Sequence, residues 1–531
     1  MLPALGVLYD RIIARRLDNW IGVNDEQTGF RKGKSTLTQL ITLRIVIEIA
    51  KKSNTCIYIG CFDIEKAFDK VSRYLLLKKL IKSGIGYAML NALKALYTTT
   101  SCILTLSGKF STAFCTTCGI RQGAPSSSFL FIAFIDDLIN YIRDRCLREP
   151  LIDTMHALLH ADDTLILSTE RSLFITKCNI MLDYFEENKL KLNLGKSGYM
   201  IINGTNTDIK DSIWLKNGEL FYKNEILYLG LLFSDSGNIG HDISLNIKKK
   251  RSNISVKYSN FCSKNYLAPL KVKLQVLNSC VLSSLCYGVE TWGNNSSHEL
   301  ETMYRMGLKT ALSVRQNTCN EIVYLETGTY PTNCWIKKRQ IEFWSKFLEN
   351  LERGSSLYKL VVRAREMNLP YILHYDNLIT NHQSAEVCEM ESRSNFTNSI
   401  KIKIRNANNI DPNSKLGTYL QVNPELITPS FPDGMFEIER IHITRFRTGS
   451  HNLFIETGRF SCPRVPRELR LCPCGESVQT LHHIFSNCDM IKNTEGAEAY
   501  INNFTSVSEF FNWHKLHEYL LFISKSLKIE L

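Results

Sequence analysis

The sequence predicts an α+β fold for about the first 230 residues and a mostly helical region after them. In the first part, short runs rich in Ile, Tyr, Phe and Leu alternate with segments whose apolar residues recur at helical spacing. This alternation is typical of helices packed on a sheet. The chain has 531 residues, a length that exceeds one hydrophobic core and favours three or four domains.

The strand predictions depend on short apolar runs bounded by turn residues. Residues 56–64, CIYIGCFDI, are predicted to form one strand, residues 155–169 a hairpin, and residues 198–202 a further short strand. Strands of this length in the same part of the chain predict a sheet in the first domain.

The helix predictions depend on apolar residues spaced three and four positions apart. Residues 72–84, 127–146 and 171–190 show this spacing. Asp136 and Asp137 lie inside the second of these segments. We therefore expect both on a helix surface rather than at a functional site.

The composition indicates a globular protein with a basic surface. Apolar residues make up 44% and charged residues 22%, with a net charge of +12, which fits a polyanionic partner. The longest apolar run, near Phe129–Ile135, is too short to span a bilayer, and no secretory signal is found. The 17 cysteines are scattered and odd in number, so we expect free thiols in a reducing compartment. The protein is expected in the nucleus or the cytoplasm, neither secreted nor bound to a membrane.

Two adjacent carboxylates, Asp162 and Asp163, lie at the tip of the predicted hairpin in LLHADDTLIL. A surface turn is one interpretation, because Asp is a common turn residue. The apolar flanks, however, place the tip near a core, where like charges repel each other unless a cation holds them. Asp63 ends the strand in CFDI and would supply a third carboxylate. Three carboxylates can hold two magnesium ions, which assist displacement at phosphorus.

Six sequence blocks, in chain order, resemble the reverse transcriptase domain of non-LTR (LINE-type) retrotransposons. They are DEQTGFRKGKST (25–36), FDIEKAFDKV (62–71), GIRQGAPSSSFLF (119–131), HADD (160–163), LNLGKS (192–197) and YLGLLFS (228–234), followed by CYGVETWG (286–293). The resemblance covers roughly residues 8–330, with a weaker tail to about 490. It implies a right-hand polymerase fold with truncated fingers, a palm with an antiparallel sheet and a helical thumb. A mostly helical C-terminal region and a small zinc-binding segment would follow.

The resemblance also implies a division of the chain into five parts. These are fingers and palm (1–235), thumb (236–330), helical connector (331–465), zinc-binding segment (466–490) and a helical tail (491–531). Related open frames carry an endonuclease upstream, so we expect this chain to be a partial product that lacks it.

The resemblance implies an RNA-directed DNA polymerase that transfers nucleotides from dNTPs to a DNA primer 3′-hydroxyl on an RNA template. Asp63, Asp162 and Asp163 match the carboxylates that hold two Mg²⁺ ions. The alternative is a catalytically inactive remnant of such an element that still binds nucleic acid. An RNA-dependent RNA polymerase is a third interpretation, because it shares the palm carboxylates.

Five further residues match nucleotide-binding positions of the family. Phe68 matches the bulky residue beneath the sugar, where a ring excludes a 2′-hydroxyl. Gln122 and Gly123 match the turn near the nucleotide and the templating base. Arg31 resembles the fingers residue that reaches the triphosphate, and Lys196 stands where a lysine near the pyrophosphate is expected. A core phenylalanine and a solvated basic turn remain alternatives for Phe68 and Arg31.

Two other features relate to the primer. Tyr228, Leu229 and Gly230 resemble the primer-grip hairpin. The residue before Ala161 is usually aromatic in this family, whereas this chain has His160, which leaves the primer-side contact open.

The segment CPCGESVQTLHHIFSNC (472–488) is a candidate zinc site. Three thiols and an imidazole suit tetrahedral zinc, although the spacing differs from the common zinc-knuckle pattern and alone leaves the question open. The segment resembles the C-terminal CCHC segment of non-LTR elements. That resemblance implies Cys472, Cys474, His483 and Cys488 as the ligands.

Overall fold

The computed structural model describes residues 4–98, 101–153, 155–204, 210–382, 384–406, 414–431, 434–500, 511 and 515–530. The chain divides into two compact units, each assembled from three segments. Unit 1 contains Met1–Asn246, Gly288–Ser296 and Arg339–His382, and unit 2 contains Ile247–Tyr287, Ser297–Lys338 and Gln383–Leu531. Two units are fewer than the length favours. The five-part division remains a prediction.

The described residues contain twelve strands. They are β1 (Ile57–Phe62), β2 (Ser101–Cys102), β3 (Thr105–Leu106), β4 (Lys109–Phe110), β5 (Phe114–Cys115), β6 (Ala157–His160), β7 (Asp163–Ser168), β8 (Gly198–Ile202), β9 (Ile213–Leu215), β10 (Gly218–Leu220), β11 (Glu225–Tyr228) and β12 (Leu231–Ser234). Four of them form the main sheet in the order β6-β7-β1-β8, with antiparallel neighbours throughout. The predicted strand at 56–64, hairpin at 155–169 and strand at 198–202 are confirmed.

The helices of the described residues follow in chain order. They are α1 (Ala4–Trp20), α2 (Thr36–Lys52), α3 (Ala67–Lys70), α4 (Arg73–Lys82), α5 (Tyr87–Thr98), α6 (Ser127–Ile135), α7 (Asp137–Arg143), α8 (Arg171–Glu187), α9 (Ile239–Lys264), α10 (Leu270–Val276), α11 (Ser283–Leu285), α12 (His298–Leu312), α13 (Asn320–Thr327), α14 (Thr332–Glu349), α15 (Ser356–Glu366), α16 (Pro370–Asn381), α17 (Ala385–Asn406), α18 (Lys415–Val422), α19 (Glu437–Arg447), α20 (Phe454–Thr457), α21 (Asp489–Lys492) and α22 (Leu516–Leu527). No helix in the described part of the chain is both long enough and apolar enough to cross a bilayer.

The core of unit 1 lies between the main sheet and α6, α7 and α8. Tyr58 and Phe62 of β1 alternate onto one face and join Phe131, Phe134 and Phe174 in a buried cluster. Each large side chain buried in this way contributes roughly 1.5–3 kcal/mol. This core fixes the ends of β1 and β7, where the predicted carboxylates lie.

The predicted helix over 127–146 is divided into α6 and α7 at Asp136. Asp137 is exposed as expected, but Asp136 is half-buried, so its placement on a helix surface is wrong. Its carboxylate accepts hydrogen bonds from the backbone N–H (3.1 Å) and the Nδ2 (2.8 Å) of Asn24. Burial raises the pKa of Asp136 to about 6. The Asp136 carboxylate can be partly buried because the loop at Asn24 supplies hydrogen-bond donors to it. The helical pattern of the sequence does not reveal these donors.

Candidate active site

The β6–β7 hairpin ends in a two-residue turn that carries the adjacent carboxylates. His160 pairs with Asp163, so Ala161 and Asp162 form the turn. Ala161 has a φ of 57°, a left-handed conformation that costs a residue with a Cβ roughly 1 kcal/mol. Such strain persists only where the surroundings fix the backbone.

The third carboxylate comes from the neighbouring strand. Phe62 of β1 pairs with Thr164 of β7, so one further step of this register sets Asp63 beside Asp163. Burial, followed by the charges of Asp162 and Asp63, raises the pKa of Asp163 to about 6. The structure therefore brings the three predicted carboxylates together.

The electrostatics of this cluster suit a cation. Burial also raises the pKa of Asp162, and the Asp63 charge acts in the same direction. The ionised forms thus oppose one another, and a nearby divalent cation would favour them. Half-buried carboxylate oxygens are the hard ligands that magnesium prefers, so the residues present fit magnesium.

The residue that holds the hairpin turn was not predicted from the sequence. Gln27 is fully buried. Its Oε1 accepts hydrogen bonds from the backbone N–H groups of Gly29 (2.8 Å) and Ala161 (3.0 Å). One carboxamide oxygen therefore ties the strained turn to the loop before α2. The sequence signal was only a glutamine near a glycine in the polar block DEQTGF.

The loop around Gln27 also pairs with β6. The Thr28 N–H donates to the Leu159 carbonyl (3.0 Å), and the Leu159 N–H donates to the Glu26 carbonyl (2.9 Å). Gln39 of α2 is buried, and its Nε2 donates to the carbonyls of Glu26 (2.6 Å) and Leu159 (2.8 Å). The hairpin is thus supported along its edge as well as at its turn.

The LNLGKS block supports Asp63. The Asn193 N–H donates to the Asp63 carbonyl (2.9 Å), and the Asp63 N–H donates to Ser197 Oγ (3.2 Å). Lys196 Nζ lies 3.8 Å from Asp63 Oδ2, and the Lys196 side chain is 72% exposed. An ion pair this exposed contributes at most about 1 kcal/mol, so it holds the Lys196 side chain only weakly.

The predicted sugar-side and template-side residues lie on and around α3. The Phe68 ring stacks on Phe131 with centroids 4.7 Å apart and an interplanar angle of 16°. Gln122 Nε2 donates to Asp69 Oδ1 (3.0 Å). Gly123 has a φ of 79°, and a Cβ there would meet no atom within 4 Å. Phe68 is only partly buried, so it is a core contact that also keeps an accessible edge.

Arg31 is held within its own loop. Its Nη1 donates to the carbonyls of Asn24 and Gln27, both at 2.9 Å. Its charge also acts on Asp136, where it opposes the rise in pKa that burial causes. Among the residues that the structure describes, Arg31 donates hydrogen bonds to these backbone carbonyls and not to the three carboxylates.

The β11–β12 hairpin carries the predicted primer-grip residues. Tyr228 pairs with Leu231, so Leu229 and Gly230 form its turn, with φ values of 45° and 83°. Two positive φ angles are typical of a type I′ hairpin. Tyr228 is buried, and burial, with Asp163 among the further causes, raises its pKa well above the usual range.

Residues 3–233 match the family described as reverse transcriptase (RNA-dependent DNA polymerase). The Retrovirus-related Pol polyprotein from type-1 retrotransposable element R2 of Popillia japonica is 24% identical over 330 residues, covering 60% of this chain and 45% of that protein. The Retrovirus-related Pol polyprotein from type-2 retrotransposable element R2DM of Drosophila melanogaster is 24% identical over 239 residues. That match covers 43% of this chain and 22% of the R2DM protein. Residues 3–233 therefore form a reverse transcriptase domain.

Among solved structures, that of apo telomerase from Candida tropicalis is 12% identical in sequence to this chain and superposes with a TM-score of 0.30. The match covers 76% of this chain and 58% of the telomerase chain. The chain spans less than half the length of the R2 proteins that it matches. Every predicted catalytic, nucleotide-binding and primer-grip residue lies within the matched reverse transcriptase domain.

His160 precedes the strained Ala161 turn. Its Nδ1 lies 2.9 Å from Thr28 Oγ1, within hydrogen-bond distance. Burial lowers the pKa of His160, which favours the neutral imidazole. The ring is thus oriented by the same loop that holds the turn.

Outside the reverse transcriptase domain, unit 2 gathers the four predicted Cys and His ligands. Their ligand atoms lie within 4.8 Å of one another. The Sγ atoms of Cys472 and Cys488 are 3.7 Å apart, and Cys474 Sγ lies 3.2 Å from His483 Nε2. Tetrahedral zinc with bonds of about 2.3 Å sets sulfurs roughly 3.8 Å apart, so this donor set fits zinc. His482 is exposed.

Proposed function

We propose that this chain is the RNA-directed DNA polymerase of a non-LTR retrotransposon. It would join a dNTP to the 3′-hydroxyl of a DNA primer paired with an RNA template. The convergence of Asp63, Asp162 and Asp163 at the ends of β1 and β7 carries this proposal. Such an enzyme would act inside the cell, in the nucleus or the cytoplasm.

The right-hand arrangement is part of the proposal. The main sheet with α6, α7 and α8 would be the palm, and the loops and helices before β1 would belong to the fingers. Residues 236–330 would form the thumb, followed by the connector, the zinc-binding segment and the tail. The antiparallel sheet that carries the carboxylates supports the palm assignment.

The proposed roles follow from where the side chains lie. Asp63, Asp162 and Asp163 would hold two Mg²⁺ ions, which supply charge stabilisation for the attacking and leaving oxygens. Lys196, which is exposed beside Asp63, would meet the leaving pyrophosphate. The remaining contacts are assigned to Phe68 beneath the sugar, Gln122, Gly123 and Arg31 around the nucleotide, and Tyr228, Leu229 and Gly230 at the primer.

Primer extension on an RNA template tests the proposed function. With dNTPs and Mg²⁺ we expect extension by the wild-type chain. An Asp163→Asn variant purified in the same way controls for contaminating polymerases. A folded chain that binds template–primer but extends nothing would support the inactive, nucleic-acid-binding alternative instead.

Replacing Phe68 with valine tests selection against ribonucleotides. The smaller side chain leaves room for a 2′-hydroxyl, so we expect the preference for dNTP over rNTP to fall about tenfold or more. Single-nucleotide incorporation with matched dNTP and rNTP measures the ratio. Phe129→Val, a partly buried phenylalanine on α6, is the matched control. If Phe68→Val leaves the ratio of dNTP to rNTP incorporation unchanged, Phe68 only packs against Phe131 in the core and does not select the sugar.

We further propose that Cys472, Cys474, His483 and Cys488 hold a structural zinc ion. The two thiols of Cys472 and Cys488 are buried in the core that α19 and α22 share, so a bound ion would fix this segment. Elemental analysis should find about one zinc per chain. Cys488→Ser should lose it and become sensitive to protease near residue 480, whereas Cys280→Ser, an exposed cysteine, should not. Equal zinc content in both variants would contradict the assignment.

A further inference from the structure

Several basic side chains lie around Phe460 in unit 2. The Phe460 ring is 50% exposed. The guanidinium carbon of Arg315 lies 5.9 Å and Lys415 Nζ lies 5.3 Å from its centroid. Glu456 connects two cations, with Lys415 Nζ at 3.7 Å and Arg459 Nη2 at 3.4 Å from its carboxylate oxygens. Lys415 and Arg459 therefore pair with one carboxylate. We call Phe460, Arg315, Lys415, Arg459 and Glu456 together the Phe460 patch.

The surplus positive charge acts on a buried neighbour. His451 is buried, and burial, followed by the charges of Arg315, Lys415 and Arg459, lowers its pKa to about 3. The charges of these three cations therefore act on His451 in the same direction.

Further basic residues follow Phe460 along the chain. Arg464 is exposed and Arg467 is half-buried, while Glu468 is the acid of the same stretch. Arg470 is buried, and its pKa is lowered by burial and then by the charges of Arg459 and Arg464, whereas the charge of Glu456 opposes this shift. The number of cations in this stretch favours an anionic ligand.

A surface cavity of about 580 Å³ lies against the ring. It is lined by Arg315, Gln316, Asn317, Thr457, Phe460 and Ser461, of which all but Phe460 carry polar side chains. An arginine fork matches phosphate oxygens, side-chain amides match base edges, and an aromatic ring accepts a stacked base of any type.

We propose that the Phe460 patch binds a phosphodiester group and an adjacent base of a single-stranded nucleic acid. This contact is additional to the proposed template–primer site and does not depend on polymerase activity. An acidic peptide would satisfy the cations, but it would leave the half-exposed ring and the amide donors unused. The chemistry of the lining therefore favours a nucleotide strand.

Fluorescence anisotropy of the full chain with 12-nucleotide RNA and DNA strands, without dNTPs or Mg²⁺, tests the proposal. Phe460→Ala should weaken binding about tenfold without changing the salt dependence, because it removes stacking alone. Arg315→Gln should reduce the slope of log K against log salt by about 0.7, because it removes one phosphate contact. The matched controls are Phe436→Ala, a 72% exposed phenylalanine, and Lys525→Gln, an exposed lysine.

A second measurement guards against misfolding, because an Arg315 Nη2 also donates to Asn452 Oδ1 (2.6 Å). Photo-crosslinking of 5-iodouridine strands to the wild-type chain should mark Phe460 when the peptides are mapped by mass spectrometry. Equal marking by RNA and DNA would establish the shared phosphodiester chemistry.

Three outcomes would overturn the proposal. The first is that crosslinks arise without marking residues 457–461. The second is that a free nucleotide blocks marking as well as an oligomer does, which would assign a mononucleotide site. The third is that an acidic peptide displaces the strand at lower concentration than a competing oligonucleotide. Primer extension is not measured here, so failure of the proposed polymerase activity stays a separate result.

Discussion

Replacing Asp163 with asparagine should abolish nucleotide transfer and, at neutral pH, make the metal-free protein more stable. Loss of one metal-binding carboxylate removes several kcal/mol of transition-state stabilisation by the metal ions. This corresponds to a rate of nucleotide transfer at least about 10³-fold lower. The stability gain arises because Asp163 is ionised at neutral pH beside Asp162 and Asp63, and the metal-free protein has no bound metal ion to offset this repulsion.

The sign of the stability change follows from linkage. Burial and the two neighbouring charges raise the pKa of Asp163 from 3.8 to about 6. The folded state therefore binds this proton more tightly, so stability is full below the unfolded pKa and falls as the pH rises through about 6. A shift of this size corresponds to about 3 kcal/mol, and the partial exposure of Asp163 screens it to roughly 1–2 kcal/mol.

Thermal melts with Asp163→Asn and wild type measure this difference. In magnesium-free buffer at pH 7.5 the variant should melt a few degrees higher, and at pH 4.5 the gap should shrink. Adding Mg²⁺ should stabilise the wild type and not the variant. Asp144→Asn, an exposed carboxylate at the end of α7, should change neither property. A variant that melts below wild type at pH 7.5 would show that the carboxylates do not oppose one another.

The parts of the site that the sequence predicted are those with a local signal. The strand that ends in Asp63 and the hairpin around Asp162 are marked by apolar runs within ten residues of each carboxylate. Hydrophobic burial decides both elements, so their ends could be placed before the structure was known. The blocks that carry Phe68 and Gln122 were placed by resemblance.

The supporting contacts had no such signal. Gln27 and Ala161 are 134 residues apart, and neither belongs to a periodic pattern. The buried pair of Lys177 and Glu149 was missed for the same reason, because a lysine in an amphipathic helix is expected at the surface. Arg31 is the opposite case, because the basic loop around it predicted an exposed side chain that contacts phosphate. In the structure, the Arg31 guanidinium instead donates to backbone carbonyls. Pairing of polar groups over long sequence distances depends on the completed fold.

Replacing Gly29 with alanine should reduce the rate of nucleotide transfer about 10²-fold with little change in the KM for dNTP. An added Cβ would lie 2.4 Å from the backbone nitrogen of Ala161 and 3.0 Å from Gln27 Oε1. Backbone atoms cannot rotate away, so the turn that carries Asp162 has to shift, and displacements near 1 Å can cost about 10²-fold in rate. Overpacking of this kind also destabilises by roughly 1–3 kcal/mol.

The control for Gly29→Ala is Gly22→Ala, because a Cβ at Gly22 would meet no atom within 4 Å. Gln27→Leu is the complementary variant, since it keeps the volume but removes the acceptor for the Gly29 and Ala161 N–H groups. Each unpaired buried donor costs about 1–3 kcal/mol.

Steady-state kinetics and Mg²⁺ titrations of the three variants distinguish a loss of stability from a displacement of Asp162. If Gly29→Ala and Gln27→Leu lose stability but keep the wild-type rate and Mg²⁺ dependence, the loop supports the fold without positioning Asp162. If both lose rate at saturating dNTP, the turn is held for catalysis by a residue 134 positions away.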